Sequence, residues 1–358
     1  MKLTPLLYWL VAPLLVGACS QAANPAAPVT VDPAEAPAAP ATGASPAPGS
    51  TAGAPSLPEP TCSDAPQVGA AGAWRHSVAS PVVVALGSPN HRGLDLVSSA
   101  AATVQLIRGE ISYGVQDKAL EDEQVELFAC RAGAWQPLGT ATTNSEGAFL
   151  VELTGGDRLP VGLRALYLSV VGDRSGAGFV ALVAPEGSAL AVSDVDGTLT
   201  SSENAYPISL ASGATVAANP GAPAALAMLR QRGFLPVYVT ARGRVFTAST
   251  RAWLDGQGFP RGPTRLASSL FLLPGASTID YKSSTLDELK STGLKVGVGL
   301  GNRASDAQAY GHAGVPGDRV FLKQPEFADE CAPEFAAGDA RGFDSYVTIE
   351  PTFAMLTP

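Results

Sequence analysis

Asp194 and Asp196 stand one residue apart in Ser193-Asp194-Val195-Asp196-Gly197-Thr198-Leu199-Thr200, at the close of an apolar run that begins at Ala189. The run reads as a buried strand and the Asp-x-Asp-Gly segment as the loop leaving it. Two carboxylates so placed can approach one hard cation. A carboxylate attacks phosphorus only when its own charge and that of the phosphate are both offset, and Mg²⁺ held by one or two carboxylates plus substrate oxygens does this. The spacing therefore points to phosphoryl transfer, with Asp194 as nucleophile. Asp196 would protonate the leaving oxygen and then serve as the base for water. The same residues also satisfy a strand-end turn in which Asp and Gly serve only the backbone, so the rest of the chain has to decide.

From Ala189 onward strand and helix alternate, which implies a parallel sheet with helices on both faces and ligands at the carboxyl ends of the strands. A helix is expected over 222–232, with Pro223 near its start and Gly233 closing it. Leu235 to Thr240 is a hydrophobic strand ending in a hydroxyl, followed by Arg242, which can bind an anion or cap the next helix. That helix, 245–256, carries Phe246, Thr250, Trp253 and Leu254 as core, and 269–273 is the next expected strand. Lys282 shares one helical face with Ile279, Leu286 and Leu289. A lysine there is costly unless its ammonium meets an anion, although a stem at the edge of an apolar stripe can also snorkel. Lys295 to Leu300 is a strand running into Gly301-Asn302-Arg303-Ala304-Ser305-Asp306, and 319–322 reads as the last strand, before a tail with no legible motif.

These segments resemble a known family. D-V-D-G-T resembles the first motif of haloacid dehalogenase-like (HAD) phosphatases, and S-D-V-D-G-T-L-T is closest to the form in lipin-type phosphatidate phosphatases. Tyr281-Lys282 followed by Leu286 is similar to the lipin-type F-K-x-x-x-L. G-N-R-x-x-D, with Ala309-Tyr310 and Gly314-Val315-Pro316 after it, is similar to lipins and to the related C-terminal domain of some phosphatidylinositol transfer proteins. Four motifs fall in HAD order within about 115 residues, and the resemblance covers Ala189 to about Gln324.

The resemblance implies an α/β HAD-like, Rossmann-like domain acting through an aspartyl-phosphate on Asp194. Thr240 and Lys282 would hold the phosphoryl group, Thr198, Arg242 and Arg303 would contact substrate, and Mg²⁺ would sit on Asp194, Asp196, Asn302 and Asp306. Asn302 departs from the two acidic residues that many members carry in the fourth motif, which leaves the charge there to Asp306. Gaps of 39 residues between Thr200 and Thr240 and 41 between Thr240 and Lys282 leave little room for a large cap. An open site suits a head group still embedded in a bilayer, so phosphatidate is the first expected substrate and diacylglycerol the product. Two alternatives remain: a lipid-binding module without turnover, as in transfer-protein relatives that lack the nucleophile, and a phosphatase for a soluble or protein phosphoester.

The N-terminus reads differently. Lys2, the apolar run Leu6 to Val16 and Gly17-Ala18-Cys19 have the layout of a secretory signal, with 1–18 removed, and the run is short for a membrane span. Leu15 to Cys19 also resembles a bacterial lipobox, in which Cys19 is lipidated; Ser20 after it would point to the outer membrane of a Gram-negative cell. Residues 19–61 are almost entirely Ala, Pro, Gly, Ser and Thr, and between Gln21 and Pro60 only Asp32, Glu35 and Glu59 are charged. That composition cannot offset its ordering entropy and predicts a disordered tether. The net charge of −9 excludes nucleic acid as an expected partner and requires any attraction to an anionic lipid surface to be local. Oligomeric state is not legible.

Between the tether and the catalytic half (189–358), residues 62–188 read as an all-β immunoglobulin- or transthyretin-like sandwich. Short apolar or alternating runs at 81–86, 103–113, 124–130, 135–142, 148–153, 163–171 and 179–183 are separated by turn signals, with no helix expected. Thr143-Asn144-Ser145-Glu146-Gly147-Ala148-Phe149 resembles the T-D-x-x-G-x-F turn of transthyretin-like and carboxypeptidase-regulatory-like domains. His76 and His91 are isolated and carry no metal-ligand spacing. Three cysteines remain beyond the tether, Cys62, Cys130 and Cys331, so one disulfide leaves one thiol. The pair stays open, with Cys62–Cys130 preferred because both flank the same predicted domain.

Overall fold

Period-two alternation builds the first half of the molecule. Ile107, Val125, Leu127, Phe149, Leu166 and Leu168 point inward from successive strands and are buried together. The computed structural model describes residues 57–58, 62, 64–206, 209, 215–268 and 275–358. The expected signal peptide, Cys19 and nearly all of the tether lie outside the described residues.

The strands are β1 (Arg92–Leu94), β2 (Leu96–Ser99), β3 (Val104–Glu110), β4 (Ser112–Tyr113), β5 (Lys118–Ala119), β6 (Gln124–Arg131), β7 (Ala134–Thr142), β8 (Ala148–Thr154), β9 (Gly162–Val170) and β10 (Gly176–Ala184). They form a sheet ordered β1-β3-β8 facing one ordered β2-β10-β9-β6-β7, with β4 and β5 as a short ribbon. Cys62 and Cys130 are joined by a disulfide, and Cys331 is a buried free thiol. β1, β2 and β5 were not expected, being too short to show alternation.

A second difference is at 81–86, where a strand was expected and a helix, α1 (Ala79–Val84), forms. Buried Glu123 explains it: the backbone N–H groups of Arg75 and His76 and the Ser80 hydroxyl all donate to its carboxylate, which winds the chain here. Pro81 falls in the first turn, where a missing N–H costs nothing.

The second half is a six-stranded parallel sheet with strand order β13-β12-β11-β14-β15-β16. Its strands are β11 (Ala189–Ser193), β12 (Leu235–Gly243), β13 (Thr264–Ala267), β14 (Lys295–Gly301), β15 (Val320–Lys323) and β16 (Arg341–Phe343). The helices are α2 (Ala222–Gln231), α3 (Thr247–Gly256), α4 (Ala276–Ser291), α5 (Ala304–His312), α6 (Ala328–Ala337) and α7 (Tyr346–Met355). Counted from β11 the order is 3-2-1-4-5-6, the doubly wound arrangement of the HAD-like fold, and its switch point lies between β11 and β14. Among the described residues no cap domain is inserted.

β13 comes earlier than the strand expected at 269–273, a segment that lies outside the described residues. Tertiary contacts fix it: the Thr264 backbone N–H and hydroxyl both donate to Asp95 of the sandwich. Nor is β15 the last strand; the tail without a legible motif adds α6, β16 and α7. β16 is only three residues long, too short to carry a periodic signal, and is held by buried Phe343 and Tyr346.

The halves are joined by the four residues 185–188 and pack on one continuous core, in which Val97, Leu163 and Leu182 of the sandwich contact the cluster that holds Leu190, Val237 and Leu286. Asp95 anchors the seam. Its carboxylate accepts from Arg251 at 2.7 Å as well as from Thr264, and its backbone oxygen accepts from Arg265 at 2.6 Å. Among the described residues no helix is long and apolar enough to cross a membrane.

Candidate active site

The loop after β11 is braced by its own backbone before any ligand is considered. Asp194 N–H donates to the Leu300 carbonyl across the switch point, and the Leu199 and Thr200 N–H groups fold back on the Val195 carbonyl. The Asn219 side-chain amide donates to the Thr198 and Thr200 carbonyls from outside the loop. Gly197 has φ of +68°, and a Cβ there would lie 2.0 Å from the Asn302 amide, so both conformation and space demand glycine. The Tyr310 hydroxyl lies 2.9 Å from both the Val192 and Leu300 carbonyl oxygens and ties β11 to β14.

Lys282 reaches this loop from the apolar face of α4. Its Nζ is buried, 2.7 Å from Asp194 Oδ1 and 2.5 Å from Asp306 Oδ1. Burial opposes the ammonium's charge, but the two carboxylates outweigh it and hold Lys282 well above its usual range. Burial also pushes the Asp194 carboxyl up against the pull of Lys282. Two buried carboxylates share one ammonium, which leaves the cluster one negative charge in excess. Asp306 is the third residue of α5, and its Oδ2 accepts the backbone N–H groups of Asn302 and Arg303, each at 3.1 Å. Both of its oxygens are therefore engaged.

Asp196 is held from the other side. The Thr240 hydroxyl donates to its Oδ2 at 3.1 Å, while Arg242 donates through Nε to Oδ2 at 2.9 Å and through Nη2 to Oδ1 at 2.7 Å. The Arg242 guanidinium is buried, donates to Thr250, and lies 3.7 Å from the centre of the Tyr206 ring. Arg303 pairs with Glu330 at 2.6 Å over the ring of Phe327. Thr198 is fully buried and donates to Asp194 Oδ2 at 3.0 Å, with Asn302 Oδ1 at 3.3 Å. The structure thus brings Asp194, Asp196, Thr198, Thr240, Lys282, Asn302 and Asp306 together, with Arg242 and Arg303 turned onto carboxylates of the protein.

Glu203 was missed by the sequence reading. It lines the same cavity of about 390 Å³ as Asp194, Asp196, Lys282 and Asn302, and its Oε2 accepts from the Asn302 amide at 3.0 Å. Burial raises its carboxyl above the ordinary range, partly offset by that amide. A signal was present: Glu203 is the only charged residue between Asp196 and Arg230.

Asp194 Oδ2 and Asn302 Oδ1 converge on one hydroxyl, with Glu203 beside Asn302, and the Asp194–Lys282–Asp306 cluster lacks one positive charge. An all-oxygen donor set with that excess suits Mg²⁺. Among the described residues no three His, Cys, Asp or Glu side chains gather closely enough to hold a metal ion.

Parts of the chain are similar to known proteins. Residues 191–323 match the family model of the PITM 1-3 LNS2 domain, and residues 89–183 that of the PITM 1-3 beta-sandwich domain. Human membrane-associated phosphatidylinositol transfer protein 3 is 25% identical over 237 residues, which is 65% of this chain and 23% of that protein. The mouse membrane-associated phosphatidylinositol transfer protein 2 is 28% identical over 204 residues, 56% of this chain and 15% of the relative. Protein retinal degeneration B of Drosophila melanogaster is 24% identical over 238 residues, 65% of this chain and 18% of its own length. The matched segment thus spans less than a quarter of each of these relatives. Among solved structures, D,D-heptose 1.7-bisphosphate phosphatase from B. bronchiseptica with magnesium and phosphate overlaps 46% of this chain and 97% of its own, with 16% identity and a TM-score of 0.36. A phospho-aspartyl intermediate analogue of phosphoserine phosphatase overlaps 47% of this chain and 99% of its own, with 14% identity and a TM-score of 0.32.

Proposed function

We propose that the chain is a Mg²⁺-dependent phosphomonoester hydrolase that acts on phosphatidate at a membrane surface. One observation carries this reading: Lys282 bridges Asp194 and Asp306 while Asp196 accepts from Thr240, so residues from four separate segments converge on one cavity. Asp194 Oδ attacks phosphorus, the bond to the leaving alkoxide breaks, and Asp196 supplies the alkoxide's proton. Water, deprotonated by Asp196, then cleaves the aspartyl-phosphate and regenerates Asp194. Lys282 and the Thr240 hydroxyl stabilise the phosphoryl oxygens. When bound by Asp194 and Asn302 with Glu203 nearby, Mg²⁺ supplies positive charge opposite nucleophile and phosphate.

For Asp196 to act, Arg242 must release at least one carboxylate oxygen. An incoming phosphate offers that guanidinium an alternative anion.

The phospholipid substrate is supported by the resemblance in the four motifs and by relatives whose names describe membrane-associated lipid transfer. A lipid anchor on Cys19 and a tether over 19–61 would hold the catalytic half at a bacterial membrane, on the exported side. A second reading, a phosphatidate-binding module without turnover, is favoured by the two-pronged Arg242–Asp196 pair, which occupies both oxygens of the acid.

Phosphate release by the full chain from phosphatidate in mixed micelles, with Mg²⁺ or EDTA, beside a soluble phosphomonoester, decides between these readings. Mg²⁺-dependent release that vanishes in Asp194→Asn supports the hydrolase. Retention on phosphatidate liposomes without any release supports the binding module, and turnover of the soluble ester at least equal to that of the lipid overturns the lipid substrate. Mass spectrometry of the mature N-terminus tests the anchor, which an unlipidated end would remove.

A further inference from the structure

A second cleft, of about 580 Å³, lies between the β1-β3-β8 sheet and the start of α3 with β13, and shares no lining residue with the catalytic cavity. Its sandwich wall has a simple pattern. Register places Leu94 opposite Arg108 and Arg108 opposite Leu150, so one arginine stands between two leucines across three strands. Ile107, the neighbour of Arg108, is fully buried, so alternation turns Arg108 away from the sandwich core. Leu94 is 38% and Leu150 49% exposed, and Leu266 and Arg244 line the opposite wall.

The charges of the cleft do not balance locally. Arg92 and Arg244 both pair with Glu110, Arg92 also pairs with Asp117, and Arg251 pairs with Asp95. Arg108 has no hydrogen-bond or ion-pair partner among the described residues, on a chain whose net charge is −9. Exposed leucines gain by shedding water, and an unpaired guanidinium gains from an anion brought to it. Both needs are met by one molecule with an alkyl chain and an anionic head.

We propose that this cleft is a binding site for an anionic amphiphile, an alkyl or acyl phosphate, with its chain along Leu94, Leu150 and Leu266 and its charge on Arg108. The site stands apart from the catalytic carboxylates yet close to them in the chain. Arg244 follows by two residues the Arg242 that holds Asp196, and Leu266 lies opposite Thr240 in the sheet register. An amphiphile held here would keep the active-site edge of the molecule at a lipid surface whether or not the catalytic cavity turns over phosphate.

The test is calorimetric titration of the full chain, in EDTA so that the Mg²⁺-dependent hydrolysis proposed above does not consume the ligand, with dodecyl phosphate below its micellar concentration. Saturable binding is expected, weakened at least tenfold in Arg108→Glu, Arg108→Gln and Leu150→Asp. Dodecyl maltoside, with the chain but no charge, and inorganic phosphate, with the charge but no chain, should each bind at least tenfold more weakly. Because Arg108 and Leu150 are exposed, melting curves that match the wild type certify the variants; Arg108→Gln removes the charge without reversing it, should charge reversal disturb folding. Wild-type affinity in both Arg108→Gln and Leu150→Asp overturns the proposal. So does loss of binding in Asp194→Asn alone, which would put the lipid in the catalytic cavity, or equal affinity for inorganic phosphate.

Discussion

Arg242 grips Asp196 with two nitrogens at once, Nε 2.9 Å from Oδ2 and Nη2 2.7 Å from Oδ1. The pair is sheltered by Tyr206 and Thr250, so removing the arginine strands a carboxylate rather than freeing a surface charge. Arg242→Ala should lower unfolding stability by roughly 3 kcal/mol, and Asp196→Asn alone by less. In the double variant the losses should not add, with a coupling of roughly 1.5–3 kcal/mol in urea unfolding. Additive losses would mean that the contact contributes little to the folded state.

Lys282 carries a different expectation because its single ammonium bridges two carboxylates. Lys282→Met leaves Asp194 and Asp306 facing each other unscreened, and should cost roughly 3–5 kcal/mol of stability along with phosphate release. Adding Asp306→Asn should restore much of the stability and none of the activity, since Asp194 would still lack its cation. The pH dependence has a definite sign. A folded-state value raised above the ordinary lysine range stabilises fully below the unfolded value and is lost only as pH climbs beyond it. The ion pair should therefore persist at pH 9, and a urea midpoint that drops between pH 7 and 9 in wild type but not in Lys282→Met would contradict this.

How much of this was legible in the sequence depends on the range of the interactions involved. Asp194 and Asn302 announce themselves because each follows a strand, and Lys282 because it breaks an apolar helical face, which are local patterns; Asp196, Thr240 and Asp306 are read from the motifs around them. The parallel sheet followed from the same alternation. Glu203 did not stand out, because its role depends on meeting Asn302 across 99 residues of chain. Arg242 looked like an anion ligand, and only the structure shows that its anion is Asp196. Helix α1 is the clearest case of tertiary override: its apolar run suits a strand, but buried Glu123, more than forty positions away in the chain, collects three donors from this segment.

His91 should govern acid sensitivity in the sandwich. Burial is the main cause that lowers it to about 4, against opposing pulls from Asp173 and the Ser112 backbone. The unfolded chain binds a proton near pH 6.5 that the folded chain refuses until about pH 4. Stability is thus complete above 6.5 and falls through that window, by on the order of 3 kcal/mol for this group. In His91→Gln, which keeps a polar contact for Ser175 without the titration, urea midpoints measured from pH 7 to 4 should decline less steeply. Parallel curves for the two proteins would remove His91 from the account.

Glu203 offers the most direct test of the cation. If Mg²⁺ rests on Asp194 and Asn302 with Glu203 beside them, adding the ion should stabilise the fold in proportion to its occupancy, and EDTA should reverse the gain. At a concentration one hundred times the dissociation constant the gain is about 2.7 kcal/mol, enough to raise the melting temperature by a few degrees. Glu203→Gln removes a charge without removing volume. It should shift the Mg²⁺ titration of melting temperature to higher concentration, roughly tenfold, while Glu330→Gln, whose carboxylate is spent on Arg303, should leave it in place. Thermal shifts are read without substrate, so the outcome does not depend on turnover. A titration curve identical in wild type and Glu203→Gln would confine the cation to Asp194 and Asn302, and Glu203 would then be left to orient the Asn302 amide it already accepts from.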